Sequence, residues 1–259
     1  MRRLPNLTND HPRQRLDLAL VEHGLFDSPE KAKRAVMAGR VTVNDQPARK
    51  PGEPVKAQDR LALISGEKYV SRGGPKLEHA LEHFQLDVLD LTAVDLGAST
   101  GGFTDCLLQR GAARVYAVDV GRGQLAWRLR RDPRVIVMEK INARQLTPDK
   151  MPRSFSPADL VVIDCSFISL RKILPAAIAL LRRSGRIVAL VKPQFEARKT
   201  EADQGAGVIT DPAIHARVLD ELKRFTEAMS EIAWRRVIQS PLLGPAGNKE
   251  FFVLIEKTG

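Results

Sequence analysis

The sequence predicts an α/β protein: a mostly parallel, doubly wound sheet of seven strands with one antiparallel strand, preceded by a small α+β module. Three observations predict it. From residue 94 onward, short apolar runs alternate with helical stretches, the pattern of parallel β-α-β units with helices on both faces. Two late strands are separated only by a Pro/Gly-rich loop, so they should pair antiparallel. Residues 15–64 have another texture, two short helices and then a strand-and-turn region.

In the first block, Leu16, Leu18, Ala19 and Leu20 begin an apolar helix face that Gly24 ends. Ser28 is placed to cap a second helix, with Pro29 at its first position. Lys31 to Met37 follow with an Ala/Val/Met stripe, and Gly39 stops the helix. Arg40 to Val43 reads as a strand, Asn44-Asp45 as a turn, Pro51-Gly52 and Pro54 as loop punctuation, and Arg60 to Ile64 as a closing strand. Residues 65–70 read as a linker and 71–259 as the second domain; residues 1–14 are expected to be a flexible extension. In the second domain the strands are Val94 to Leu96, Val115 to Val118, Val135 to Met138, Leu160 to Ile163 and Ile187 to Val191. Helices are expected over Phe103 to Gln109 and Ser169 to Arg183, and the late strand pair over Ile232 to Gln239 and Phe251 to Glu256.

Composition narrows the class. At 259 residues the chain has room for one or two domains at about 150 residues each, and 43% apolar with 28% charged residues is ordinary for a globular protein. Cys106 and Cys165, far apart and without metal-ligand spacing, exclude a disulfide scaffold and suit a reducing compartment. The basic start is not followed by an apolar stretch, so no secretory signal is expected. Apolar runs stop at about six residues where a membrane helix needs about 20. The expectation is a cytoplasmic protein without membrane or metal, and nothing demands more than a monomer. Forty-one Lys and Arg against thirty-one Asp and Glu give +10, which makes a polyanion a candidate partner. Residues 1–65, with 12 basic and 8 acidic side chains, are about twice as basic per residue as the rest.

The turn Asp95-Leu96-Gly97-Ala98-Ser99-Thr100-Gly101-Gly102-Phe103 follows the first parallel strand and opens a helix. Its glycines allow a tight turn and close approach to a ligand. Asp119, 22 positions after Gly97 at the end of the second strand, fits a carboxylate that binds the two hydroxyls of a ribose; the ligand therefore carries a nucleoside. The turn lacks both the Gly-x-Gly-x-x-Gly dinucleotide pattern and the Lys-Ser/Thr ending of a phosphate loop. Asp95 at the strand end would repel a pyrophosphate and suit a cationic ligand, such as the amino group of S-adenosylmethionine. The plainer alternative is a tight turn without a ligand.

Four charged residues fall where an open α/β sheet places its chemistry, at one strand edge. Asp164 ends the fourth strand, Lys192 the fifth, Glu250 begins the last, and Lys76 precedes the first. Two lysines and two acids in one pocket can activate a hydroxyl. A lysine takes the proton of a ribose 2′-OH only as a neutral amine, which partial burial and a second ammonium favour, while the carboxylates orient the lysines. The alternative is two structural ion pairs. Asp164-Cys165-Ser166-Phe167 lacks the prolines of the segment that amine methylases carry here, and Cys165 reads as a small buried residue, so ribose oxygen is the better acceptor than an amine or a base carbon.

These residues together resemble the TlyA family of rRNA 2′-O-methyltransferases, whose members also carry hemolysin labels. Arg15-Leu16-Asp17, Ser28 to Gly39 and Arg40 to Asn44 look like the RNA-binding module of ribosomal small-subunit protein four, and Ser71-Arg72-Gly73-Gly74-x-Lys76-Leu77 like the family's linker-to-catalytic-domain motif. The rest looks like a Rossmann-like methyltransferase domain. The resemblance implies a catalytic set of Lys76, Asp164, Lys192 and Glu250, within which we expect Lys192 to act as general base, Asp164 and Glu250 as orienters and Lys76 as second cation. It implies S-adenosylmethionine as cofactor, held by Asp95, Gly97, Ser99, Thr100, Gly101, Gly102, Phe103 and Asp119, with Asn142 by the adenine and Phe167 packed near it. The implied partner is ribosomal RNA or a ribosomal subunit, with cytidine as the family's acceptor. Arg15, Lys31, Lys33, Arg34, Arg40 and Arg72 are the expected RNA contacts. Phe26 is the sole aromatic residue among the first 65, so phosphate and shape recognition is expected there rather than base stacking. Gln194 to Thr210, polar and carrying Gly205 and Gly207, is expected to be a mobile lid or an RNA-contact loop. The rivals are a membrane-active cytolysin, disfavoured by the lack of any apolar span or basic amphipathic helix, and an RNA-binding protein with an inactive catalytic domain.

Overall fold

A computed structural model describes residues 13–63 and 68–259. The chain divides into two compact units, residues 1–68 and 69–259. Residues 1–12 of the extension expected over 1–14, the last residue of the strand ending at Ile64, and linker residues 65–67 lie outside the described residues.

In the first unit β1 (Gln14–Arg15) runs into α1 (Leu16–Glu22), followed by α2 (Pro29–Met37), β2 (Val41–Val43), β3 (Gln46–Pro47), β4 (Pro54–Val55) and β5 (Leu61–Leu63). β1 pairs antiparallel with β4, and β2 lies between β3 and β5. Gln14, expected in the extension, is therefore part of the module, and Pro54, expected in a loop, is in a strand. The Ser28 hydroxyl accepts from the Lys31 amide at 3.4 Å and Pro29 opens α2, the cap the sequence predicts. Leu16, Ala19, Leu20, Ala32, Ala35, Val36, Val41 and Val55 form the core. Leu18 and Met37, expected on the apolar faces, are exposed; helical periodicity turns them away from the α1–α2 contact. Asn44 and Asp45 both adopt left-handed backbone between β2 and β3, the conformation a two-residue hairpin needs.

The second unit begins with α3 (Gly73–Phe84), followed by β6 (Thr92–Leu96), α4 (Gly102–Gln109), β7 (Arg114–Asp119), α5 (Trp127–Arg130), β8 (Val135–Glu139), β9 (Ala158–Ile163) and α6 (Leu174–Leu180). β10 (Leu181–Val191), α7 (Pro193–Glu196), α8 (Lys199–Gln204), α9 (Pro212–Glu227), β11 (Ile232–Gln239) and β12 (Phe251–Lys257) complete it. The sheet order is β11-β12-β10-β9-β6-β7-β8, and β12 alone runs antiparallel to its neighbours. The strands alternate between two apolar layers. Val94, Leu96, Val161 and Ile163 face a cluster with Leu174, Val218 and Leu222. Ala93, Leu160 and Val162 face one with Leu77, Leu81, Phe103 and Leu107. Burial on both faces is why these strands read as unbroken apolar runs.

The helix expected over Ser169 to Arg183 is shorter. Leu170–Lys172 is a single 3₁₀ turn, α6 ends at Leu180, and Leu181 already pairs with Ala158 in β10. The register shifts between Leu181 and Arg186, with Ser184 in left-handed backbone, so the Arg-Arg-Ser-Gly stretch that reads as a helix end is a bulge. The segment expected to be a lid or loop, Gln194 to Thr210, contains most of α7 and all of α8. It is tied down by Glu196 to Ser169 and Leu170, by Glu201 to Arg217, and by Asn248 to Ile209 and Gly207.

Candidate active site

The strand order reverses at β6, whose neighbours β7 and β9 leave in opposite directions. This is the switch point where open α/β sheets bind ligands. The Gly97 and Ala98 amides donate to the Val118 carbonyl at 2.9 and 3.0 Å, and the Asp164 amide donates to the Leu96 carbonyl at 3.0 Å. The glycine turn is thus laced to both neighbouring strands. Gly97 has φ +89°, and a Cβ there would lie 2.7 Å from the Asp164 carbonyl oxygen, so only glycine lets the β6 and β9 ends approach.

Two adjoining cavities open over this edge. The first, about 450 Å³, is lined by Gly97, Ser99, Asp119, Val120, Ile141, Asn142, Asp164, Cys165, Ser166, Phe167 and Ile168, among others; its size suits a drug-sized ligand. The second, about 320 Å³, is lined by Ser71, Arg72, Gly73, Lys76, Thr100, Gly102, Phe103, Lys192 and Glu250, and shares Gly97, Ser99, Asp164 and Ser166 with the first.

All four expected heads meet at the second cavity. Lys76 Nζ donates to Glu250 Oε2 at 2.6 Å, and both side chains are almost fully buried. Lys192 Nζ lies 2.6 Å from Asp164 Oδ1 and donates to Ser166 Oγ at 2.8 Å. Lys76 is carried by the first turn of α3, Asp164 and Lys192 by the ends of β9 and β10, and Glu250 by the start of β12. Because β12 runs antiparallel, with Phe251 opposite Val191, its start lies at the same edge as the parallel strand ends. Asp164 Oδ1 and Glu250 Oε1 are buried without an aligned hydrogen bond, so each keeps acceptor capacity.

Asp119 ends β7. Its Oδ2 accepts from the Ser99 amide at 2.8 Å and its Oδ1 from the Gly121 amide at 2.7 Å, which fixes the carboxylate and leaves each oxygen a lone pair toward the first cavity. Asn142 caps a short 3₁₀ turn by accepting from the Arg144 amide. Phe167 is 90% exposed, has φ +63°, and sets its ring 5.2 Å from that of Phe195. Ser99, Thr100, Gly102 and Phe103 line one or both cavities.

Two expectations for cofactor contact are corrected. Asp95 is fully buried, lines neither cavity, and accepts from Thr104 Oγ1 at 2.7 Å. Strand alternation sends it to the α4 face with Ala93, away from the cleft. Burial, with Asp164 and Asp119 nearby, pushes its carboxyl up to about 7. Gly101 lines neither cavity either; it packs on Leu125 and Leu129. Cys165 lines the first cavity, but burial first and Asp164 second push its thiol up to about 12, which suits an inert residue and not a nucleophile. Ser166, which lines both cavities and accepts from Lys192, is the site side chain that sequence reasoning passed over; its signal is its place two residues after a strand-end carboxylate.

In the first unit, Lys33, Arg34 and Arg40 are exposed, and Lys31 is exposed beside Asp27 at 2.5 Å. Arg15 grips Asp17 with two nitrogens, at 3.1 and 2.6 Å, and holds that carboxyl below its ordinary range; its guanidinium fork is committed to the module's own fold. Arg72 is exposed at the second cavity and donates to the Leu243 carbonyl at 2.8 Å. Among the described residues there is no metal-ligand cluster and no helix long and apolar enough to cross a membrane.

Residues 69–257 match the FtsJ-like methyltransferase family and residues 14–61 match the S4 domain. The chain therefore belongs to the FtsJ-like methyltransferases, with an RNA-binding S4 domain ahead of the catalytic one. Within that class it belongs with the TlyA proteins: it is 46% identical to the 16S/23S rRNA (cytidine-2′-O)-methyltransferase TlyA of Mycobacterium tuberculosis, over 93% of this chain and 89% of that one. It is also 37% identical to hemolysin A of Brachyspira hyodysenteriae, over 92% and 97% of the two chains. A solved structure described as a hemolysin from Streptococcus thermophilus matches with a TM-score of 0.71 at 44% identity, covering 95% of this chain and 89% of that one.

Proposed function

We propose that this chain transfers a methyl group from S-adenosylmethionine to the ribose 2′-hydroxyl of a cytidine in ribosomal RNA. One observation carries the reading. Two lysine–carboxylate pairs line a cleft that shares Gly97, Ser99, Asp164 and Ser166 with a nucleoside-sized cavity ending on Asp119. That arrangement supports a donor in the larger cavity and an acceptor hydroxyl in the smaller one. Bound there, S-adenosylmethionine supplies an electrophilic sulfonium methyl. Asp119 binds the donor's ribose hydroxyls, the Gly97–Gly102 turn lies along the donor, and Asn142 and Phe167 flank its adenine side.

The protein's own work is alignment and proton removal. Lys192 takes the proton of the acceptor hydroxyl. Asp164 and Ser166 hold the Lys192 amine in place, while Lys76, fixed by Glu250, stabilises the oxygen as negative charge builds on it. Holding oxygen and methyl in line is a large share of the rate gain. Lys31, Lys33, Arg34 and Arg40 of the S4 domain contact RNA phosphates, and Arg72 does so at the cleft. The hemolysin names of relatives suggest membrane lysis instead, but nothing in a cytolysin calls for four converging heads beside a nucleoside cavity.

The test is methyl transfer from isotope-labelled S-adenosylmethionine to purified 30S and 50S subunits, with mass mapping of the modified nucleotide. Label at a cytidine 2′-oxygen is expected. Absence of transfer to either subunit or to naked rRNA, together with leakage from liposomes, would overturn the reading.

A further inference from the structure

The β7–α5 connection leaves a tryptophan in water. Trp127 is 71% exposed, and the Arg131 guanidinium sits over its ring at 5.8 Å from the centroid. The chain has two tryptophans and few aromatics overall. An exposed indole forgoes the burial that usually retains this residue, and no function assigned above uses it.

Its placement is fixed from below. Leu125 and Leu129 are buried beneath the glycine turn, where a Cβ on Gly101 would meet them at 2.8 and 2.3 Å. The Ala126 amide donates to the Thr100 carbonyl at 3.1 Å, and Thr100 lines the acceptor cleft. With its inner face so anchored, α5 presents Trp127 to solvent one residue beyond a backbone tether to the cleft wall.

The surroundings are basic. Residues 122–134 hold five arginines and one aspartate. Arg128 pairs with Asp105, Arg130 with Glu139 and Arg134 with Asp132; Arg131 makes no ion pair among the described residues and lies on the indole instead. A flat aromatic face with a guanidinium beside it, in a positive field, suits a nucleobase, whose π-face stacks on indole regardless of identity while the arginine meets a phosphate.

We propose that Trp127 and Arg131 form a stacking platform for an unpaired base of the RNA substrate, beside the nucleotide being methylated. This rests on the rRNA reading above and adds a division of labour. The S4 domain, with Phe26 as its lone aromatic residue, supplies phosphate contacts; the catalytic unit supplies the stacking contact that sets the strand at the cleft.

The full chain with Trp234→Phe makes Trp127 the sole fluorescent tryptophan. Purified 16S and 23S rRNA should quench its emission. Trp127→Ala should weaken rRNA binding and raise the KM for RNA about tenfold, with S-adenosylmethionine affinity and thermal midpoint unchanged, and Trp127→Tyr should keep most of the affinity. Binding of rRNA with unquenched Trp127 and unaltered affinity in Trp127→Ala would overturn the platform alone. No rRNA binding by any form would overturn it together with the function it rests on. Quenching by RNA-free ribosomal proteins but not by RNA would assign the surface to a protein partner and overturn it too.

Discussion

The two lysine–carboxylate pairs at the cleft have the same parts and the same 2.6 Å separation, yet differ in surroundings. Lys76 and Glu250 are 8% and 1% exposed at the side chain and join the first turn of α3 to the start of β12. Lys192 and Asp164 are 10% and 25% exposed and end adjacent strands, and Lys192 also donates to Ser166 Oγ. A pair sealed between two elements acts first as a fixed charge in the architecture, because neither member has water to fall back on if the other is lost. A pair with one open carboxylate can exchange a proton with something that enters the cleft. In the proposed mechanism the same chemical motif is divided between holding and reacting, and substitutions can test that division.

The largest effect is expected at the open pair. Lys192→Ala should lower turnover by roughly 10²–10⁴-fold while S-adenosylmethionine binding, measured by calorimetry, and the thermal midpoint stay near those of the parent. Turnover equal to the parent would remove Lys192 as the base. A collapse in stability would erase the distinction between the pairs.

At the closed pair the order reverses. Lys76→Ala strands the Glu250 carboxylate in a site where its second oxygen already lacks a partner, and should cost about 3–5 kcal/mol of stability, read from the denaturant midpoint. The double variant Lys76→Met, Glu250→Gln should recover most of that stability and no activity. If the single variant is as stable as the parent, Lys76–Glu250 is not the structural pair its burial implies.

How much of this site was legible in the sequence follows from which residues chain periodicity controls. Asp164 and Lys192 stand out because a charge directly after an apolar strand has one place to go, the strand end. Glu250 was legible through the antiparallel reading of β12, which brings its start to the same edge. Asp95 looked equivalent, a carboxylate near the end of β6, but it lies inside the strand, and the twofold alternation that places Ala93 under α4 places Asp95 there as well. The bulge after α6 was illegible because Arg-Arg-Ser-Gly fits a helix end as well as a kinked strand, and only the pairing of Leu181 with Ala158 decides. The contacts that tie down Gln194 to Thr210 come from residues up to 41 positions away, which no local pattern reports.

Asp95 also extends the comparison to a carboxyl with no lysine at all. Burial lifts it from 3.8 to about 7. Between about pH 4 and pH 7 the folded chain therefore keeps a proton that the unfolded chain has released, so this group's contribution to stability falls as pH rises through that window and levels off above it. The Arg-paired Asp17, Asp132 and Glu221 are shifted down and act in the opposite sense, so the effect must be read as a difference between variants. Asp95→Asn, whose amide oxygen can still accept from Thr104, should gain roughly 3 kcal/mol of stability on the parent between pH 4.5 and pH 8. A constant offset at both pH values would mean that the carboxyl titrates alike in both states.

The smallest expected effect separates the roles inside the open pair. Lys192 has two partners within reach, Asp164 Oδ1 and Ser166 Oγ. Ser166→Ala removes the neutral partner and keeps the charged one. Because the cleft is open to water at this point, a solvent molecule can take the hydroxyl's place, and the loss should be that of one ordinary hydrogen bond, about 1 kcal/mol, seen as about a fivefold fall in kcat with the KM values for donor and RNA unchanged. Ser166→Thr, which restores the hydroxyl, should restore most of the rate. A fall as deep as that of Lys192→Ala would give a different answer: the hydroxyl would then be the relay through which the proton reaches the amine, and Asp164 alone would be insufficient to aim it. Graded rate measurements on these two variants thus decide whether the open pair works as lysine and carboxylate, or as lysine, carboxylate and serine acting together.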